Sequence, residues 1–169
     1  MPGWIDLKGP IVANTAYVDG QLVAKDVTAT LPPVTPKTAD YKAMGTMTLP
    51  MLGQIDSMEL TITKIGIDLG LARLARFKRM DIELRWVQDA MQSDGSVKPE
   101  GCKAFLRAIA KGIPGIGLET GNPSENELTH EVTRYQLYVG GAELWLIDRL
   151  AQIMRIAGTD YYRDISSLL

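Results

Sequence analysis

The chain has 169 residues, of which 46% are hydrophobic and 22% are charged, with 18 basic and 20 acidic side chains. This length fits one domain with a proper core, and the composition excludes a disordered or fibrous chain. The formal net charge of -2 gives no overall field that would draw the chain onto nucleic acid or an anionic bilayer.

The single cysteine, Cys102, cannot form an internal disulfide, and we expect it to be a small buried apolar residue. The N-terminus lacks both a basic start and an apolar run, so it does not resemble a signal peptide. No segment approaches the roughly 18 apolar residues of a membrane span. We therefore expect the chain to fold in a cytoplasm and not to bind membranes.

The first predicted element is a β-hairpin over residues 14–30, which follows an N-terminal arm over residues 1–13. Asp19-Gly20 supplies the positive φ angles that a two-residue hairpin turn needs. Residues 31–53 hold four prolines and three methionines, and proline cannot donate to a sheet ladder. This segment is predicted to be a long loop, and loops of that length are usually functional.

Two alternating strands and one helix are predicted in the middle of the chain. Residues 55–65 and 79–88 alternate apolar and polar side chains, as half-buried strands do. Residues 67–77 carry apolar side chains at helical spacing, which predicts the one convincing internal helix. Residues 102–111 fit either a helix or a strand, and we favour a strand.

The C-terminal third is predicted to contain a second hairpin. Residues 112–126 are rich in glycine and proline and read as a loop. Residues 127–139 then form a long strand, which Gly140-Gly141 turns into a strand over residues 142–147. A short terminal helix is predicted to start at Thr159 or Asp160, both of which are cap candidates.

The sequence offers little material for catalysis. His130 is the only histidine, and its strand position favours a solvated or hydrogen-bonded residue over a general base. Asp81 and Glu83 would lie roughly 7 Å apart on one strand face, a separation that the catalytic carboxylate pair of a glycosidase could have. The flanking Arg79 and Arg85 indicate a solvated ionic face instead. The glycines of residues 112–117 lack the spacing of a dinucleotide fingerprint. We predict no enzyme activity, no cofactor and no metal site.

Several ordered runs of residues carry a resemblance to a known family. In the N-terminal half they are YVDG at 17–20, TLPPVTPKT at 30–38 and YKAMG at 41–45. In the C-terminal half they are RYQLYVGGAEL at 134–144, ID at 147–148 and GTD at 158–160. Taken together, these runs resemble the major tail tube proteins of contractile bacteriophages and R-type pyocins. The similarity covers about residues 14–169, although residues 90–125 match only in general character.

This resemblance implies a mainly β fold, an antiparallel β-sandwich or half-barrel with one short α-helix, in a single domain over residues 1–169. It implies six-membered rings that stack into the hollow inner tube of a contractile tail, with no active site. The implied partners are further copies of the chain, the sheath, the tape measure protein inside the lumen, and the baseplate and tail-terminator proteins. DNA would only pass through, and the protein would reside in a virion tail assembled in the host cytoplasm.

Three surfaces follow from that picture. Polar strand faces would line the lumen, where repeated carboxylates would repel DNA phosphates; the candidates are Ser57, Glu59, Thr61, Thr63, Asp81, Glu83, Thr129 and Glu131. The segment 31–53 would contact the next ring, with the candidates Pro32, Pro33, Tyr41, Met44 and Met47. Arg73 and Arg76 on the helix would face the sheath.

Other functions remain open at this point. A needle tube protein of type VI secretion shares the architecture but would carry effectors instead of conducting DNA. A small β-sandwich that binds a ligand and a hydrolase that uses His130 are the alternatives from other classes. Whether the tube belongs to a DNA-carrying phage or to a DNA-free bacteriocin is also left open.

Overall fold

The structure, a computed structural model, describes residues 3–169 and is mainly antiparallel β. Its strands are β1 (Leu7–Val18), β2 (Gln21–Lys25), β3 (Thr28–Thr30), β4 (Pro36–Lys42), β5 (Thr46–Ile55), β6 (Glu59–Ile65), β7 (Met80–Met91), β8 (Val97–Ala110), β9 (Glu125–Val139), β10 (Ala142–Asp148), β11 (Ile153–Ile156) and β12 (Thr159–Asp160). Its helices are α1 (Leu69–Leu74) and α2 (Arg163–Ser166). Between residues 3 and 169 no helix combines the length and the apolar character needed to cross a membrane.

Strand β9 organises the main sheet, whose order is β12-β11-β10-β9-β8-β7-β1-β2. One edge of β9 pairs with β8, while its other edge pairs with β6 over its first half and with β10 over its second half. Strand β3 extends the branch that β6 begins. The sheet curves around one core without closing, which confirms the predicted antiparallel half-barrel.

Both predicted hairpin turns are confirmed. Val18 pairs with Gln21 across Asp19 and Gly20, which have φ angles of 50° and 81°. In the second hairpin β9 turns into β10 through Gly140 and Gly141, which have φ angles of 57° and 84°. Positive φ at both central residues matches the right-handed twist of the flanking strands.

The period-two patterns place the core where the sequence predicts it. In β6 and the residue before it, Met58, Leu60 and Ile62 are fully buried, and in β7 the buried positions include Met80 and Ile82. The same core receives buried side chains from β1, β2, α1, β8 and β9. Cys102 is buried, as predicted.

Helix α1 is shorter than the predicted helix over residues 67–77. Asp68 caps its N-terminus by accepting a hydrogen bond from the Leu71 amide at 3.1 Å, so residue 67 lies outside. At the other end the Ala75 amide bonds to both the Leu71 and the Ala72 carbonyls, which tightens and ends the last turn. Phe77 is exposed beyond it.

The prediction of a long loop over residues 31–53 was wrong. Strands β4 and β5 form a two-stranded sheet of their own, joined by a short turn in which Met44 has a φ of 51°. Pro36 and Pro50 both lie in this hairpin. Because each strand of a two-stranded sheet has a free edge, proline can lie there without breaking a ladder.

Several boundaries also differ from the sequence-based prediction. Residues 7–13 of the predicted arm belong to β1 and pair with β7, whereas residues 1–2 lie outside the described part. Strand β8 begins at Val97, five residues before the predicted strand over residues 102–111, and it includes Pro99. Thr159 and Asp160 form β12, and the terminal helix starts only at Arg163.

Candidate functional site

The structure gathers the eight proposed channel residues on one polar face of the main sheet. Glu59 lies opposite Glu131 and Thr61 opposite Thr129 in the β6–β9 ladder. Residues directly opposite each other in an antiparallel pair point to the same side. The remaining members of this polar face are Ser57, Thr63, Asp81 and Glu83, none of which is buried.

Every carboxylate among these candidates has a cationic partner. Lys111 donates a hydrogen bond to Glu59 and lies 3.5 Å from Glu131. The bond to Glu59 raises the pKa of the Lys111 ammonium above its ordinary value. Arg107 lies 3.4 Å from Asp81.

Two further contacts complete the network on the polar face. Arg85 lies 2.6 Å from Glu83 and stacks over the ring of Tyr17, with its guanidinium carbon 4.5 Å from the ring centroid. Ser57 donates a hydrogen bond of 2.6 Å to Glu131. The polar face is therefore a set of compensated charges instead of an unpaired acidic surface.

The hairpin β4–β5 has one apolar face and one polar face. Tyr41 pairs with Met47, and Ala39 pairs with Leu49. Met51 follows Leu49 at the spacing of two that keeps side chains on one side of a strand. On the opposite side, the Thr48 hydroxyl donates a hydrogen bond of 3.0 Å to Asp40. We call the surface formed by Tyr41, Met47, Leu49 and Met51 the apolar hairpin face, and all four side chains are exposed. Exposed apolar surface of this kind marks interaction sites.

The five proposed stacking residues are distributed unevenly over this region. Tyr41 and Met47 belong to the apolar hairpin face, and Met44 lies at the fully exposed tip. Pro33 is exposed at the entry to the hairpin, but Pro32 is buried within the subunit. Pro32 is thus part of the internal packing and is not offered to a neighbour.

The two arginines proposed to face the sheath lie on or near α1 and are half-buried. Arg76 lies 2.7 Å from Asp19 in the first hairpin turn, and its Nε donates to the carbonyl of Arg73 at 3.2 Å. Together with a bond from the Asp81 amide, Arg76 lowers the pKa of the Asp19 carboxyl. Arg76 thus helps to hold the turn against the helix.

His130 lies in the core and not on a solvated strand face. Its Nε2 contacts the Leu74 carbonyl at 2.7 Å, and its Nδ1 has no partner among the described residues. Burial lowers the pKa of this imidazole. Within residues 3–169, no cluster of His, Cys, Asp and Glu is arranged to hold a metal ion.

The sequence-based prediction missed two sets of residues. Its stacking candidates did not include Leu49 and Met51, although Met47, Leu49 and Met51 show the period-two pattern of a strand. It also missed the cations Arg107 and Lys111, for which a sequence pattern gives no pairing information.

The family model of phage tail tube protein FII matches residues 10–169. A search of curated proteins finds no sequence match. The fold is similar to a chain of the PVC sheath-tube complex, an extracellular contractile injection system in its extended state, with a TM-score of 0.54 and 12% identity over 77% of this chain and 90% of that chain. It is also similar to a chain of the PVC sheath/tube terminator, with a TM-score of 0.53 and 12% identity over 76% of this chain and 95% of that chain. These two likenesses show the fold alone, whereas the family match spans nearly the whole sequence. The chain belongs to the family of phage tail tube protein FII, and it is therefore a structural tail tube protein and not an enzyme.

Proposed function

We propose that copies of this chain form six-membered rings that stack into the hollow inner tube of a contractile tail. The observation that carries the proposal is the apolar hairpin face, which belongs to a sheet separate from the main one and whose four side chains are exposed among residues 3–169. A subunit that offers such a face to a different surface on the next copy forms rings or filaments.

The energetics of this contact favour assembly. Burial of apolar surface contributes about 25 cal/mol per Å², so burying roughly 200 Å² per hairpin would contribute about 5 kcal/mol. Six such contacts between two rings would act together, because once one has formed the others become intramolecular. Weak single contacts would then give a stable tube.

In this arrangement the polar face lines the channel. Its threonines and paired charges offer a largely hydrophilic wall, in which Ile109, opposite Glu131, is an exposed apolar side chain. The salt bridges to Lys111 and Arg107 make this wall less repulsive to DNA phosphates than four unpaired carboxylates would be. A polymer could still slide past this wall. Because each candidate carboxylate has a cation beside it, the wall neither strongly attracts nor strongly repels a charged chain.

The proposed partners follow from the position of a tube inside a contractile tail. The sheath would surround the tube, with α1, its residue Arg73 and the following Arg76 on the outer side. A terminator protein would cap one end, the baseplate would hold the other, and a tape measure protein would occupy the channel during assembly in the host cytoplasm. DNA would pass through without being bound specifically.

Electron microscopy of the purified protein tests the proposal. In negative stain we expect the wild-type protein to form rings or long hollow tubes, and we expect more of them at higher protein concentration. A protein that showed no rings or tubes at high concentration and that sedimented as a monomer would contradict the proposal.

The charge compensation on the polar face supports a second candidate, the tube of a tail-like particle that carries no DNA. Such a channel has no need to repel phosphates. Nucleic acid measured in purified particles after nuclease treatment of their exterior separates the two candidates, since only the phage tail is attached to a filled capsid.

A further inference from the structure

The hairpin β4–β5 forms no backbone hydrogen-bond ladder with the main sheet among the described residues. In residues 3–169 it pairs only with itself, so no backbone ladder fixes its angle to the main sheet. Leu31, Val34 and Ile55 pack against the core at its base. Any further restraint on its direction must come from side chains that contact the base from other elements.

Tyr162 supplies one such restraint. Its ring lies over Gly53 so closely that a Cβ added to Gly53 would lie 2.2 Å from Cε2 of the ring. Gly53 has a φ of 93°, a backbone conformation that favours glycine. The absence of a side chain at residue 53 is thus what lets the ring seat on the β5 backbone.

The segment before α2 holds Tyr162 in place. Asp160 accepts hydrogen bonds from the Met154 amide at 3.2 Å and from the Tyr162 amide at 3.1 Å. The Tyr161 amide donates to the Met154 carbonyl at 2.8 Å. Helix α2 buries none of its own residues, whereas Tyr162, directly before it, packs against the core.

Arg149 supplies a second restraint from the turn after β10. Its guanidinium donates to the backbone carbonyls of Ile55 and Asp56 at 3.4 Å and 3.3 Å. Its own amide is bonded to the Thr133 carbonyl at 3.0 Å, which ties the turn to β9. Arg149, Tyr162 and Gly53 line the same cleft of about 170 Å³.

We propose that Tyr162 and Arg149 are positioning residues that fix the direction of the hairpin β4–β5 before it meets another subunit. The consequence for assembly rests on the proposed function, because only a stacking hairpin needs a fixed direction. A hairpin ordered in the free subunit loses less conformational entropy on contact, which strengthens binding without any new contact.

Hydrogen exchange on the free subunit tests the positioning, because a hairpin that loses the packing at its base opens more often. In Tyr162→Ala we expect peptides that cover residues 36–55 to exchange about tenfold faster, while peptides from β7 and β8 stay unchanged. Tyr162→Phe keeps the ring and should exchange as the wild type does. Tyr161→Ala is the matched control, since it removes an exposed neighbouring ring.

Arg149→Ala gives an independent test, in which we also expect the peptides that cover residues 36–55 to exchange faster. Because Arg149 also lies 3.8 Å from Glu131, Glu131→Gln is its control and should leave the hairpin unchanged. If Tyr162→Ala does not fold, Tyr162→Leu and Arg149→Ala carry the test. Hairpin exchange that stays within twofold of the wild type in all folded variants would overturn the proposal.

The assembly measurement keeps this proposal distinct from the proposed function. Faster hairpin exchange in Tyr162→Ala supports the positioning role whether or not tubes form. Failure of the wild-type chain to form tubes would contradict the proposed function and leave that exchange result standing.

Discussion

The Nε2–H of His130 donates a hydrogen bond of 2.7 Å to the backbone carbonyl of Leu74, which ties the middle of β9 to the last residue of α1. The imidazole is fully buried, and its Nδ1 faces no partner in the described chain. A neutral ring satisfies this bond, whereas a protonated ring would place a charge and an unpaired donor in the core. The contact therefore predicts how stability depends on pH.

We expect the free energy of unfolding to decrease as the pH falls below about 6.5, the ordinary pKa of histidine. Burial lowers the pKa of His130 in the folded chain, so the unfolded chain binds the proton first and gains stability from it. The loss continues until the pH reaches the folded-state pKa. Urea unfolding at several pH values between 8 and 5 measures it.

His130→Gln provides the control for this titration, because its amide can donate to Leu74 and does not titrate. Since the chain has no other histidine, the difference between the wild-type and variant pH dependence reports this residue alone. Equal pH dependence in the two proteins would refute the prediction.

The N-terminus of α1 depends on a contact between a buried lysine and an exposed aspartate. Lys64 is nearly buried and lies 3.0 Å from Asp68, whose other oxygen caps the helix. Asp68→Ala removes the cap and leaves Lys64 without its partner, so we expect a loss of about 2 kcal/mol in chemical denaturation. Asp68→Asn keeps a cap acceptor and should lose less, while Asp164→Ala on exposed α2 should change little. A neutral Asp68→Ala would contradict this account of the helix start.

The apolar hairpin face should be required for assembly and dispensable for folding. Leu49→Asp places a charge in the middle of this face, where it would block contact with another subunit. Because Leu49 is exposed in the free chain, we expect the free energy of unfolding to change by less than about 0.5 kcal/mol. Sedimentation and negative stain should show monomers in place of tubes.

Thr46→Asp is the matched control for that variant, since it adds the same charge on the opposite side of the same strand. It should still assemble. If both variants assemble equally well, or both fail, the apolar hairpin face is not the contact.

The polar face can be assigned to the channel by labelling. Thr61→Cys should react with both a small maleimide and a maleimide on a 5 kDa polymer in free subunits, while Cys102 is buried and its pKa is raised. In tubes we expect only the small reagent to react, because the bulky one cannot enter the channel.

Phe77→Cys, at an exposed position after α1, is the control and should react with both reagents in free subunits and in tubes. Equal polymer labelling of Thr61→Cys in tubes would place this face outside.

Much of the fold follows from local patterns in the sequence. The Asp19-Gly20 and Gly140-Gly141 turns form as expected because only a few residues adopt positive φ readily. The buried faces of β6 and β7 follow from strict alternation, which leaves one side of each strand apolar.

The failures have equally specific causes. Residues 31–53 were predicted as a loop because their prolines were given more weight than the alternation of Met47, Leu49 and Met51. A two-stranded hairpin has free edges, and these accept Pro36 and Pro50. In the β8–β9 ladder a register shift lets Thr133 and Arg134 both remain partly exposed. A bulge of this kind breaks the alternation and cannot be read from spacing.

The candidate surfaces were predicted less completely than the fold. The polar side of β6 and β9 was visible in the sequence, but its neutralisation by Lys111 depends on a strand that lies elsewhere in the chain. The seat of Tyr162 on Gly53 joins residues more than a hundred positions apart. Contacts of this kind are set by tertiary packing, which a local pattern does not contain.

A reconstruction of the assembled particle by cryo-electron microscopy tests the central claim most directly. We predict stacked six-membered rings in which the apolar hairpin face contacts a subunit of the adjacent ring and the polar face with Glu59 lines the channel. A particle in which the hairpin β4–β5 lies in solvent and the polar face points outward would contradict the account.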